Sequence, residues 1–328
     1  AKVKFAGTLT LPKGAGPFPA VLLITGSGPQ DRDESIVGHK PFLVLADHLT
    51  RRGIAVLRVD DRGVGGSTGS VSGSTTSDFA GDVLAGVAFL KQHAHIAADR
   101  IGLIGHSEGA VIAPLAASRS KDVAFIVMMA GTSVPGYEIL PAQVEAIDVA
   151  SGQTADKAKK EADITRAALG LVRAEKDEAV LRTKLKALFV EHKDDVDADD
   201  LKQAGSLDAF VERQVKSLTS PWFRYFLDYD PRPALRQVKV PVLALNGELD
   251  KQVLPDQNLP SIEQTLHESK NPDVTVRRLP GLNHLFQTAQ TGSPTEYATI
   301  QETLSPAVLD LMTHWILERF GNPTKPAA

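Results

Sequence analysis

The sequence contains no cysteine. That excludes a disulfide framework, a thiolate metal site and a cysteine nucleophile. It fits a cytosolic or an exported protein and leans toward a periplasmic or secreted one. Aromatic residues are scarce, at 5%, so any place where they gather is informative. Neither sign of charge dominates. A formal net charge of −4 leaves no basic excess for nucleic acid, and no acidic run reads as a tail. Long apolar runs are missing too. The longest, such as Ala124 to Ala130, are far too short to span a bilayer. The chain starts at Ala1 and shows no signal-peptide pattern. What is present, 42% hydrophobic and 23% charged residues over 328 positions, is the composition of a globular enzyme with one large domain or two small ones.

Short apolar runs alternate with helical stretches. The first twelve residues alternate and end at Leu11-Pro12, predicting an opening strand or hairpin. Ala20 to Thr25, Ile54 to Val59, Ile101 to Gly105 and Phe125 to Ala130 read as buried strands. Between them, His39 to Arg52, Ser77 to His93 and Ser107 to Ser118 have helical spacing. After Gly131 the pattern breaks. From about Ile139 to Leu218 the chain is rich in Ala, Lys, Glu and Asp, with helical periodicity and no convincing strand. Strands return at Val240 to Leu245 and Val274 to Leu279, with helices near Leu259 to His267 and from Pro306 to Phe320. This order predicts an α/β fold, a mostly parallel central sheet flanked by helices. Residues 1–134 and 236–328 form the core, and 135–235 form a helical insertion. The charge-rich stretch Lys193 to Asp200 reads as solvated surface of that insertion.

Gly105-His106-Ser107-Glu108-Gly109 matches G-x-S-x-G, and so does Gly65-Gly66-Ser67-Thr68-Gly69. Context separates them. Ser107 directly follows a strand and opens an apolar-periodic helix, as a nucleophile on a sharp strand-to-helix turn must. Ser67 follows its strand at a distance and runs into Ser/Gly loop. A serine hydroxyl needs a base, placed last in chain order after an acid. Of nine His, His284 lies in the loop after the last strand, where the carboxyl ends of parallel strands gather. The His106 side chain is expected to point away from the nucleophile. The turn Asn246-Gly247-Glu248-Leu249-Asp250 offers Asp250 as the acid, with Glu248 as the alternative. Two N–H groups should hold the developing oxyanion. One is that of Glu108. The other is that of Ser27, with Gly28 second, in the small-residue loop Thr25 to Asp33. The alternative there is a plain Gly-rich turn; a phosphate loop lacks its motif.

Together these residues resemble the α/β-hydrolase superfamily. So does Asp60-Asp61-Arg62-Gly63-Val64-Gly65-Gly66-Ser67, which is similar to that superfamily's D-x-R-G-x-G-x-S turn and accounts for the second serine motif. More narrowly, Gly26-Ser27-Gly28-Pro29-Gln30-Asp31-Arg32-Asp33 resembles bacterial EstD-like carboxylesterases, related to dienelactone hydrolases and prolyl-oligopeptidase-type peptidases. That group often carries a small domain ahead of the catalytic one, with no counterpart in these 328 residues. Ser107 stands where dienelactone hydrolases have Cys, against that activity.

The resemblance implies a carboxylic ester hydrolase acting on short-chain, small-molecule esters through an acyl-enzyme. A serine aminopeptidase or amidase, or a thioesterase or acyltransferase, is the alternative. It also implies that the insertion caps the site. Trp222 or Phe223, in the aromatic run Pro221 to Phe226, is expected to line the pocket or to form a buried hinge between cap and core. Asp31, Arg32, Asp33 and Arg62 are expected to brace the oxyanion loop. No cofactor, metal, nucleic acid or membrane partner is expected, and a monomer and a homodimer both remain open.

Overall fold

A computed structural model describes residues 3–193 and 202–321 of the chain. Seven strands form one sheet: β1 (Gly7–Thr10), β2 (Phe18–Ile24), β3 (Ala55–Val59), β4 (Ile96–His106), β5 (Phe125–Met129), β6 (Val242–Gly247) and β7 (Val274–Leu279). Their order is β1-β3-β2-β4-β5-β6-β7; β1 runs antiparallel to β3 and the other pairs are parallel. The inner strands, such as β2, β5 and β6, are buried on both faces because they are apolar on both, whereas the edge strands β1 and β7 are only partly buried. In β2, Ala20, Leu22 and Ile24 enter one core cluster, while Val21 and Leu23 enter the other.

The first cluster packs under α2 (Thr76–Lys91), α3 (Glu108–Arg119) and two further helices given below. The second packs under α1 (Pro41–Arg51) and, through Val308, Met312, Trp315 and Ile316, the closing helix Pro306–Phe320. Helix α1 starts two residues later than its periodicity suggests. Pro41 fits the first helical position, where its missing N–H costs nothing.

Between β5 and β6 run α4 (Gly136–Ala150), α5 (Ala155–Ala174), α6 (Glu178–Glu191), α7 (Leu207–Leu218), α8 (Pro221–Asp228) and α9 (Arg232–Gln237). They carry a third apolar cluster, including Leu169, Leu181, Leu185, Phe210, Val215 and Phe223. In the charge-rich stretch, residues 194–200 lie outside the described residues. Helices α10 (Pro255–Glu268) and α11 (Pro306–Phe320) complete the chain. Leu235 of α9 and Ile262 of α10 belong to the first cluster. Among the described residues no helix is long and apolar enough to cross a membrane.

The strand order sets the position of the site. From β2 the chain moves outward to β3, then crosses back to β4 on the other side of β2. The crossovers part between β2 and β4, which pair directly through Ile24 and Gly105. A crevice at the carboxyl ends of strands forms at such a point.

Candidate active site

Ser107 follows β4 without a spacer and sits at φ 54°, ψ −115°, a left-handed conformation that a non-glycine residue rarely adopts. The flanking glycines make this turn possible. A Cβ on Gly105 would lie 2.0 Å from the carbonyl oxygen of Gly109, and one on Gly109 would lie 2.1 Å from that of Ile24. Both neighbours are backbone, so neither can swing aside. Gly109→Ala is therefore expected to cost about 3 kcal/mol or more in urea unfolding, because overpacking against main chain cannot relax. A loss below about 1 kcal/mol would contradict this account of the turn.

The loop after β2 lies against the serine: a Cβ on Gly26 would be 3.4 Å from Ser107 Cβ. Gly26 N–H donates to Glu34 Oε1 at 2.7 Å, and Gly28 takes φ 93° with open space around it. Ser27, between them, is exposed. Glu108 opens α3, so its N–H is one of those a helix start leaves without an intrahelical acceptor.

Asp61 holds the same loop from beneath, accepting from Thr25 Oγ1 at 3.0 Å and from Gln30 N–H at 2.9 Å. Burial pushes its pKa up to about 6, against those two hydrogen bonds. A carboxyl group raised from 3.8 favours the fold fully below about pH 4, and that contribution is lost as pH rises through about 6. Asp61→Asn is thus expected to remove up to about 3 kcal/mol of stability loss between pH 4 and pH 7. Urea unfolding of both proteins across that range checks it; parallel pH curves would refute it.

The expected bracing group uses other partners. Arg32 Nε and Nη2 grip Asp60 at 2.9 and 2.7 Å, Arg58 pairs with Asp33, and Arg62 Nε donates to Asp82 at 2.7 Å. Asp31 closes its own turn through Ser35. The sequence reading left Arg58, Asp60 and Asp82 out of this group because they lie on β3, in the turn after it and on α2, brought near only by the sheet order.

His284 and Asp250 meet from the ends of β7 and β6. His284 Nδ1 is 2.8 Å from Asp250 Oδ2, with both side chains buried. Asp250 Oδ1 accepts the N–H groups of Gln252 and Val253, each at 2.8 Å. Gly247 lets the two loops close together, since a Cβ there would stand 2.3 Å from the Leu282 carbonyl oxygen. Glu248 is exposed and accepts Gly281 N–H at 3.2 Å, away from the imidazole. Among the described residues no hydrogen bond joins Ser107 Oγ to the His284 ring. Ser67 is buried with its hydroxyl spent, donating to Asp60 O at 2.8 Å and accepting Ala6 N–H at 2.9 Å.

Two groups here escaped the sequence reading. His106 does not simply turn away. Its ring lies 4.8 Å from that of His284, with Nδ1 on Glu34 and Nε2 on the His284 carbonyl oxygen. The Glu108 carboxyl is buried, and its Oε1 accepts Thr76 Oγ1 at 2.7 Å and Trp222 Nε1 at 2.8 Å. Burial raises the pKa of Glu108 against those two bonds. Trp222, stacked on Phe226, thereby fastens α8 to the first turn of α3. Phe223 is not brought to Ser107; it packs within the third cluster.

A cavity of about 450 Å³ begins at Thr25, Gly26, Gly28 and Glu108 and runs along α2 past Phe79 and Phe89. Neither Ser107 nor His284 lines it. Among the described residues no group of three or more His, Cys, Asp or Glu could hold a metal ion.

Residues 2–270 match the family model described as X-Pro dipeptidyl-peptidase (S15 family), a span that includes Ser107 and Asp250. The chain is 27% identical over 314 residues to Esterase EstD of Thermotoga maritima, covering 95% of this chain and 65% of that protein. It thus spans about 65% of that relative's length. Among solved structures, the α/β hydrolase GrgF from Penicillium sp. sh18 superposes with a TM-score of 0.56 at 16% identity, over 98% of this chain and 100% of that one. A Pyrococcus furiosus esterase gives a TM-score of 0.53 at 15% identity, over 97% and 92%. These structures show the fold: the chain has the α/β-hydrolase fold, and it is similar in sequence to EstD.

Proposed function

The chain belongs to the X-Pro dipeptidyl-peptidase family (S15), and from that premise we propose that it is a serine carboxylesterase acting on short-chain esters. The observation that carries this reading is the buried 2.8 Å bond between His284 and Asp250, at the sheet end that presents the strained Ser107 turn. Ser107 Oγ attacks the ester carbonyl while His284 Nε2 takes its proton, and Asp250 holds the imidazole with Nδ1–H inward. The N–H groups of Glu108 and Ser27 receive the oxyanion, with Gly28 as second choice for the latter. The alcohol leaves with the proton from His284, and water then releases the acid by the same base.

In this reading residues 135–235 cap a core of 1–134 and 236–328. Trp222 lines the acyl side of the site, with Phe223 at its back, 6.2 Å between ring centroids. The similarity to Esterase EstD supports ester chemistry, and the EstD-like resemblance of the Gly26-to-Asp33 loop supports small acyl groups. The family description favours a second reading, amide-bond cleavage, which requires an anchor for a free amine. Thioesters and acyl transfer remain further alternatives on the same machinery.

Rates on p-nitrophenyl acetate, butyrate and octanoate, set beside an X-Pro dipeptide p-nitroanilide and an acyl thioester, test the choice. Faster turnover of acetate and butyrate than of octanoate, anilide or thioester is expected. Anilide turnover exceeding that of every ester would replace this reading with the peptidase.

A further inference from the structure

The hydrogen bonds of His106 specify where its protons lie. Nε2 is 2.9 Å from the carbonyl oxygen of His284, which only accepts, so Nε2 carries a proton. Nδ1 is 3.0 Å from Glu34 Oε1, the atom that also accepts Gly26 N–H at 2.7 Å. A carboxylate oxygen placed between two donors fits a ring protonated on both nitrogens. Both residues are 6% exposed, so either charge alone would be costly and each compensates the other. Burial lowers the imidazole pKa, but the charge and hydrogen bond of Glu34 and the His284 carbonyl outweigh it, and the net direction is up.

The pair joins three separate stretches of the site. Gly26 precedes Ser27, whose N–H faces the oxyanion in the reading above. His106 precedes Ser107. The accepting carbonyl belongs to His284 itself. Glu34 is held at φ 52°, a strained conformation for a residue with a side chain, and such strain gathers at functional sites.

We propose that Glu34 and His106 are a positioning pair, an ion pair whose imidazolium ties the oxyanion loop to the main chain of His284 and fixes the spacing between that loop and the His284 ring. This rests on the assignment of Ser107, Asp250 and His284 made above. The groups facing His106 are Glu34, the His284 ring and, beyond that ring, Asp250.

The test compares wild type, Glu34→Gln and His106→Asn on p-nitrophenyl butyrate from pH 5 to 9, with kcat expressed per site titrated by a fluorophosphonate. An amide at position 34 no longer balances the imidazolium, and Asn at 106 removes it. Both variants are expected to lose about 10- to 100-fold in kcat per titrated site. KM should stay within about threefold of wild type, so that the loss falls on kcat. A pair that only packs would lower the titratable fraction and the melting temperature while leaving kcat per site unchanged; that result overturns the proposal.

Nitrogen-15 spectroscopy of the histidine rings in wild type gives an answer even if neither variant folds. At pH 8 both nitrogens of the ring nearest the Gly26 amide should carry protons, and a bare nitrogen there overturns the proposal. Wild type that neither hydrolyses the ester nor takes up the probe would sink the reading of Ser107 instead, while the ring spectrum still decides the pair.

Discussion

Ser107→Ala is expected to lower kcat/KM on p-nitrophenyl butyrate by about 10⁵-fold, because removing a nucleophile that acts as a unit with its base costs nearly as much as removing the whole constellation. The oxyanion donors are backbone N–H groups and survive the change, so a small residual rate above that of water should persist. Folding should be intact, since the hydroxyl accepts or donates no hydrogen bond among the described residues and the turn is imposed by Gly105 and Gly109. The measurement is a steady-state rate corrected for spontaneous hydrolysis, with fluorophosphonate labelling alongside. Activity within tenfold of wild type would remove Ser107 from the mechanism. Ser67 would be a poor replacement, because its hydroxyl is buried and bonded to Asp60 O and Ala6 N–H.

Asp250→Asn should cost about 10⁴-fold in kcat, through the tautomer of His284 rather than through the fold. Asp250 Oδ1 accepts two backbone N–H groups and Oδ2 faces His284 Nδ1. An asparagine satisfies the backbone donors with its oxygen and so turns its NH₂ group toward Nδ1. That nitrogen must then be bare, the proton moves to Nε2, and the ring can no longer accept one from serine. Melting temperature should change little, since each hydrogen bond keeps a partner. Glu248→Gln is the control: Glu248 lies on the surface, and its change should alter kcat less than about threefold. The opposite ranking, with Glu248→Gln crippling and Asp250→Asn mild, would reverse the assignment of the acid.

Much of this arrangement can be read locally. The strand runs are legible because buried parallel strands are apolar on both faces, as in Ala20 to Ile24. The turn at Ser107 is legible because no residue but glycine fits at 105 and 109, and because a strand ends and a helix starts there. Boundaries slip where proline decides them, as at Pro41 and Pro255, both at helix starts. What escaped is of another kind. Glu34 and His106 are 72 positions apart, Glu108 and Trp222 114, and His106 and the His284 carbonyl 178. None of these pairs shares a motif or a period.

The sequence alone determined the elements, the chain order Ser107, Asp250, His284, and the loops on which they sit, because periodicity and glycine sterics act over a few residues. The tertiary structure alone decided that Asp250 and not Glu248 faces the imidazole, that Phe223 packs among helices while Trp222 reaches Glu108, and that His106 joins Glu34 to the backbone of His284. These depend on which strands become neighbours and at what register. That is settled by burying both faces of the inner strands at once, a condition that no short stretch of the chain contains.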